Sequence, residues 1–379
     1  MKSKICDLLG IDFPLLAFSH CRDVVVEVSK AGGMGVLGAA AFEPESLEVE
    51  LKWIDDHIEG KPYGVDLIVP TKMADVEHST VVENLTRVPE QHRSFALNLL
   101  RQHGIDDVDV YTGEVFDTHN VITGFLTEEE AGTVIDVALT HPIRLIANAL
   151  GVPPPYMIEK AKQSGIPCAA LIGSKEHALK QVEAGVDIIV ASGTEAGGHC
   201  GEVSTIVLVP EVCEAVKDSG VPVLAAGGIV TGRQMAACMA MGAAGAWTGS
   251  VWLTTVESET SETFKKKCVT ASCSETVRSK QRTGKYSRQL KSSWTTAWDS
   301  PDAPSPLPMP LQSLVSEPPL SRINKAAESG NPGAQELTTY WVGQGVGLMN
   351  SIQTSRQVVY EFMEDFLTAQ ETLNTSLDD

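Results

Sequence analysis

Asp187-Ile-Ile-Val-Ala-Ser-Gly-Thr-Glu-Ala-Gly-Gly-His199-Cys-Gly201 decides the fold. It begins as an unbroken apolar run and ends in a turn with four glycines, one carboxylate and one imidazole. A strand that is apolar on successive residues is buried on both faces, the habit of a parallel sheet. Outward from this stretch the same unit recurs. Phe13–Phe18, Met34–Ala39, Tyr63–Val69, Ile143–Ala149, Pro167–Ile172, Pro222–Ala226 and Gly245–Gly249 read as further strands. Helical patterns lie between them, over Val24–Lys30, Pro44–Ile58, Pro155–Ser164, Ser174–Ala184, Val209–Ser219 and Gly232–Met241. Gly185, Gly220 and Gly242 stand where C-terminal caps belong. Eight alternating units predict an α/β fold, a (β/α)8 (TIM) barrel rather than an open sheet.

Two stretches break the repeat. Residues 71–142 form a polar insert between the third and fourth strands. Within it Thr127, followed by Glu130, reads as a capping box opening a helix to Leu139; the rest reads as an extension or lid over the active face. Residues 273–338 are rich in Ser, Pro and basic side chains. There, Pro301-Asp-Ala-Pro-Ser-Pro-Leu-Pro-Met-Pro310 excludes a helix interior or a central strand. The segment is a surface linker or a wrap over the pocket. Val358–Leu373 reads as a closing amphipathic helix. The expected organisation is a barrel over 1–272, an irregular segment over 273–340, and a closing motif with its helix over 341–379.

Composition bounds the function. The chain has 379 residues, 43% apolar and 21% charged, which is ordinary for a globular protein. Its net charge of −20 excludes nucleic-acid binding through a basic surface. No apolar run reaches the roughly 20 residues of a membrane span, and the N-terminus lacks a signal-peptide core. A soluble, cytoplasmic protein is expected. The cysteines at 6, 21, 168, 200, 213, 238, 268 and 273 form no CxxC pair, so they read as inert thiols, with no metal site.

In a parallel barrel, chemistry sits at the carboxyl ends of the strands. Ser192–Gly201 follows the sixth, Gly227-Gly228 the seventh, and Thr248-Gly249-Ser250 ends the eighth. The last two loops can aim N–H groups, a hydroxyl and a helix N-terminus at a phosphate. Neither has the Walker or Rossmann spacing. His199, set among glycines, is the candidate catalytic acid/base. Glu195 reads as orienting the loop. No Ser-His-Asp or Cys-His arrangement is readable, and Cys200 is expected to diverge from its neighbour.

These residues resemble the nitronate monooxygenases, formerly called 2-nitropropane dioxygenases. Glu195–Gly201 is similar to that family's signature. Ala31-Gly-Gly-Met-Gly-Val-Leu-Gly-Ala39, Pro62–Leu67, Pro222–Ile229, Thr248–Ser250 and Trp341-Val-Gly-Gln-Gly-Val-Gly347 resemble its other motifs, in order, over nearly the whole chain. The resemblance implies non-covalent FMN and oxidation of alkyl nitronates by O2 to a carbonyl compound and nitrite. It assigns His199 to proton abstraction or nitronate binding. It assigns FMN contacts to Ala17, Phe18 and Ser19 on the first strand, Asp66 on the third, and Ser192, Gly197 and Gly198 on the sixth. Gly227, Gly228, Thr248, Gly249 and Ser250 match the phosphate loops, and Gln344 the closing motif. The implied partners are a small nitronate-like substrate and O2, with a homodimer left open. Three places depart from the family pattern. Ala17-Phe-Ser-His20 replaces Ala-Pro-Met, Asp66 replaces an asparagine, and Ser192 replaces a glutamine. Two other functions remain open: an NAD(P)H-dependent flavin reductase acting on quinones or enoyl thioesters, and a non-catalytic flavoprotein. A phosphosugar enzyme is a further option should flavin be absent.

Overall fold

A computed structural model describes residues 3–40, 42–69, 86–105, 110–111 and 128–376. About half of the insert, including Thr127 of the expected capping box, lies outside the described residues. In chain order the elements run α1 (Lys4–Leu9), β1 (Leu15–Ser19), α2 (Arg22–Lys30), β2 (Met34–Gly38), α3 (Pro44–His57), β3 (Tyr63–Leu67), α4 (Glu90–Gln102), α5 (Glu128–Thr140) and β4 (Leu145–Asn148). There follow α6 (Pro155–Gln163), β5 (Cys168–Ile172), α7 (Lys175–Ala184), β6 (Ile188–Ser192), β7 (Gly198–His199), α8 (Thr205–Val216), β8 (Val223–Ala226), α9 (Gly232–Ala240), β9 (Gly245–Thr248) and α10 (Glu262–Thr270). Last come β10 (Thr276–Ser279), β11 (Ser287–Leu290), α11 (Ser293–Trp298), α12 (Leu311–Glu328), α13 (Pro332–Leu337) and α14 (Ser355–Thr375).

Strands β1-β2-β3-β4-β5-β6-β8-β9 close into a parallel barrel, as the apolar runs predict. Alternation along each strand divides two kinds of packing. Leu16, Met34, Val36, Leu145, Ala147, Ile188, Val190, Leu224 and Trp247 fill the interior, plugged from below by Ile5 and Leu9 of α1. The intervening residues, such as Tyr63, Val65 and Leu67, face outward onto the helices.

Residues 273–340 hold more regular structure than their composition suggests. β10 and β11 form an antiparallel hairpin, and β11 pairs with β7, so the order is β10-β11-β7. α4 of the insert packs against α12, and together with α11 and α13 they build a second small core around Leu99, Leu100, Trp294, Leu314 and Ile323. The two departures from the repeat are thus one helical layer. α12 carries Pro318 and Pro319 in its interior. Pro319 has no N–H for the Val315 carbonyl, and the Tyr111 hydroxyl donates to that oxygen instead, at 2.8 Å. α8 begins at Thr205, four residues before the expected start, and takes Pro210 into its interior. α14 closes the barrel against α9 and α2. Among the described residues no helix is long and apolar enough to cross a membrane.

Candidate active site

The turns after β6, β8 and β9 meet because their glycines leave no room for side chains. A Cβ on Gly227 would meet the Gly193 backbone at 2.9 Å, and one on Gly228 the Cβ of Glu195 at 2.9 Å. Gly227 and Gly228 also have φ of 101° and 72°, which only glycine adopts without strain. The segment 342–345 locks the junction. A Cβ on Gly197 would meet Gly343 N at 2.8 Å, and one on Gly345 the Gly228 carbonyl at 2.6 Å. Gly343 N donates to Ser250 Oγ at 2.8 Å, and Gln344 N to the Glu195 carbonyl at 2.9 Å. Glu195 has the orienting role expected of it. Its Oε2 accepts from the N–H and the hydroxyl of Thr205 at 2.9 and 2.8 Å, tying the β6 turn to the start of α8. A cavity of about 400 Å³ opens along this junction, lined by Glu195, Thr205, Gly227, Gly228, Gln234 and Gln344 among others. His199 does not line that cavity; it stands beyond Gly197 on β7, toward the hairpin.

β7 holds His199 opposite Ser287, while Ser287 lies opposite Ser279 on β10. Directly opposed residues share one face of a sheet, so all three side chains lie on the same side. His199 Nε2 bonds Thr283 Oγ1 at 2.8 Å, and Nδ1 has no partner among the described residues. The imidazole is solvent-exposed at the rim. Even so, protein packed around the ring disfavours the cation, and Lys285 and Arg282 add to this, so its pKa is lowered to about 4. Solvent at the rim screens the two cations, whereas the crowding, the larger cause, fixes the direction; the ring is neutral at pH 7. Further groups crowd this face. Arg282 pairs with Glu317 through two bonds of 2.8 and 2.9 Å and lies 3.9 Å over the Trp341 ring. Buried Gln289, Ser287 Oγ, Arg282 Nη1 and Trp341 Nε1 have no hydrogen-bond partner among the described residues.

The remaining sequence candidates ring the mouth. Phe18 points inward, edge-on to His20 at 5.1 Å and stacked with Trp247 at 6.4 Å. Ala17 packs outward in the helix-facing core, so only its backbone reaches the mouth. Ser19 Oγ accepts from Cys21 N at 3.1 Å. His20 Nδ1 bonds the Gly38 carbonyl at 2.8 Å, and burial lowers its pKa. Ser192 ends β6 and, by alternation from Ile188 and Val190, faces inward. The Thr248 hydroxyl donates to the Leu16 carbonyl at 2.9 Å and accepts from Trp252 Nε1 at 3.0 Å, which leaves only its backbone for a ligand. An added Cβ on Gly198 would meet nothing within 4 Å, and one on Gly249 only Phe18 Cδ1 at 4.0 Å. Asp66, by alternation along β3, is turned into the barrel, and its buried Oδ1 has no partner among the described residues. Bare glycine backbone and an unpaired polar atom at the strand ends of one barrel suit a flat, polar ring, so these residues fit a flavin.

Thr283, Arg282, Ser287, Gln289 and Trp341 were not singled out from the sequence as site residues. A signal was there. Arg278, Lys280, Arg282, Lys285, Arg288 and Lys291 cluster in an acidic chain, with no Asp or Glu from 276 to 298.

The family model for nitronate monooxygenase matches residues 3–365. The chain belongs to the nitronate monooxygenase family. It is therefore a flavin oxidoreductase of that family. A Mycobacterium tuberculosis protein provisionally named a monooxygenase, Rv1533, is 50% identical to this family member over 97% of each chain. A probable nitronate monooxygenase of Staphylococcus aureus is 28% identical, over 90% of this chain and 91% of its own. The solved nitroalkane oxidase of Streptomyces ansochromogenes shares the fold with a TM-score of 0.78 at 23% identity, over 97% of this chain and 99% of its own. FabK of Thermotoga maritima shares it with a TM-score of 0.71 at 24% identity, over 99% of both chains.

Proposed function

We propose that this nitronate monooxygenase family member holds FMN non-covalently and oxidises alkyl nitronates with O2 to a carbonyl compound and nitrite. One observation supports this above the others. A neutral imidazole, anchored through Nε2, stands at the rim of a barrel whose strand ends also carry bare glycine backbone and a buried carboxyl oxygen without a partner among the described residues. Bound FMN would supply the electron-accepting ring. Gly227-Gly228 and Gly249-Ser250 would hold its phosphate, and Phe18, Asp66 and Gly198 would line its ring. The chain's own residues do the rest. Thr283 Oγ1 accepts from Lys285 N and can donate to Lys285 O at 3.2 Å. With its proton placed there, Nε2–H donates to Thr283 and Nδ1 carries the lone pair. Nδ1 then takes the α-proton of a neutral nitroalkane. Arg282 and Lys285 attract the nitronate anion. The unpaired donors of Gln289, Ser287 and Trp341 offer hydrogen bonds to its oxygens.

The test is the absorption spectrum of the fresh protein, followed by O2 consumption and nitrite release with propionate 3-nitronate or ethylnitronate. A yellow protein that produces nitrite is expected. A flavin-loaded protein that releases none, yet is bleached anaerobically by NADPH, would replace this reading with a flavin reductase.

A further inference from the structure

We infer that Asp66 is a neutral carboxylic acid in the folded protein, and that it donates its proton as a hydrogen bond to an acceptor on the flavin ring. This rests on the flavin reading above. Along β3, Tyr63, Val65 and Leu67 pack outward against Leu47, Leu51 and Ile54 of α3. Alternation therefore turns Gly64 and Asp66 into the barrel. Asp66 lies opposite Gly38 on β2 and Ala147 on β4, neither of which has a side-chain donor or acceptor. Below it the interior is filled by Met34, Val36 and Leu145. The residue is 3% exposed, and its Oδ1 has no partner among the described residues.

An ionised carboxylate in that position would meet neither a cation nor an N–H group among the described residues, and burial without either disfavours charge strongly. β2 and β4 carry no titratable side chain. Among the described residues the titratable groups at the same mouth are His20, whose Nδ1 is taken up by the Gly38 carbonyl, and His199 at the rim, whose Nε2 is taken up by Thr283 Oγ1 and whose charged neighbours are Lys285 and Arg282. Burial alone pushes the Asp66 carboxyl up to about 8. The neutral acid has one O–H to donate, and a buried donor requires an acceptor. The described residues provide none for Oδ1. The direction left to it is the mouth, where the bare backbone of Gly198 leaves room for a ring. An asparagine at 66 would donate an N–H at every pH. An aspartic acid donates only while protonated, so this chain's grip on flavin should weaken in alkali.

Two measurements separate this inference from the reading beneath it. The first uses flavin-free protein. Between the ordinary carboxyl value of about 4 and about 8, the folded chain holds a proton that the unfolded chain lacks, so wild-type stability falls as pH rises. Asp66→Asn has no such proton. Its melting temperature should gain on wild type from pH 5 to 8 and level off above that. A gap that does not change with pH overturns the neutral acid. The second is FMN titration by fluorescence quenching. The wild-type Kd should stay level up to about pH 7.5 and rise roughly tenfold per pH unit above about 8. Asp66→Asn should bind at all pH values with no such slope, and Asp66→Leu should bind weakly throughout. A tightly bound flavin with a level wild-type Kd overturns the hydrogen bond alone. A chain that binds no FMN at any pH overturns the hydrogen bond and the flavin reading together, while the melting comparison still reports the state of Asp66.

Discussion

In the proposed reaction His199 takes the proton at Nδ1, because Nε2 is bonded to Thr283 Oγ1. Asparagine keeps the polarity but cannot take the proton. His199→Asn should lower turnover of neutral nitroethane by about 10²–10⁴ and that of ethylnitronate far less, read as O2 uptake. Equal losses on both substrates would exclude proton abstraction. Thr283→Val should free the ring to rotate and cost roughly tenfold on the neutral substrate, on the order of one hydrogen bond, while Thr283→Ser restores it. Because the protein packed around the ring, with a smaller push from Lys285 and Arg282, lowers the His199 pKa to about 4 from the usual 6.5, the base stays unprotonated in mild acid. Oxidation of neutral nitroalkanes should therefore persist from pH 7 down to 5, and a kcat/KM profile falling through 6.5 would contradict that. His199 could be picked from sequence because glycines surround it. Thr283 could not, since it lies 84 residues away and the β7–β11 register alone brings the two together.

Elements carry the next predictions. Arg282 and Glu317 pair deep between the hairpin and α12, with side chains 5% and 10% exposed. Glu317→Gln leaves a buried guanidinium without its counter-charge, and should cost about 3–5 kcal/mol in urea unfolding. Replacing both, as Arg282→Met with Glu317→Leu, should cost less. Gly232 opens α9 against α14, where an added methyl would collide with the Phe362 carbonyl. Gly232→Ala should cost about 1–3 kcal/mol and speed amide exchange across 355–375. The barrel strands were legible because each is largely apolar on both faces and most end at or beside a glycine. The hairpin and α12 were not. β11 reads Ser-Arg-Gln-Leu, with little β-propensity, and Pro318-Pro319 hides a helix whose freed carbonyl is satisfied by Tyr111, a residue far away in sequence.

Over the whole molecule, charge is distributed unevenly. The chain carries −20, yet the hairpin beside His199 is lined with cations. Such a patch steers anions to the rim, and salt screens the steering. Raising NaCl from about 20 to 300 mM should lower kcat/KM for anionic ethylnitronate several-fold and leave that for neutral nitroethane nearly unchanged. Equal salt effects would place the productive anion contact elsewhere. The junction of turns has a consequence for biosynthesis. The histidine is made before the hydroxyl that holds it and the glycine segment packed against its loop, which follow only with residues 283 and 343. A nascent chain that stops short of residue 343 thus carries the histidine without its surroundings, so the centre cannot assemble on the ribosome until both have emerged.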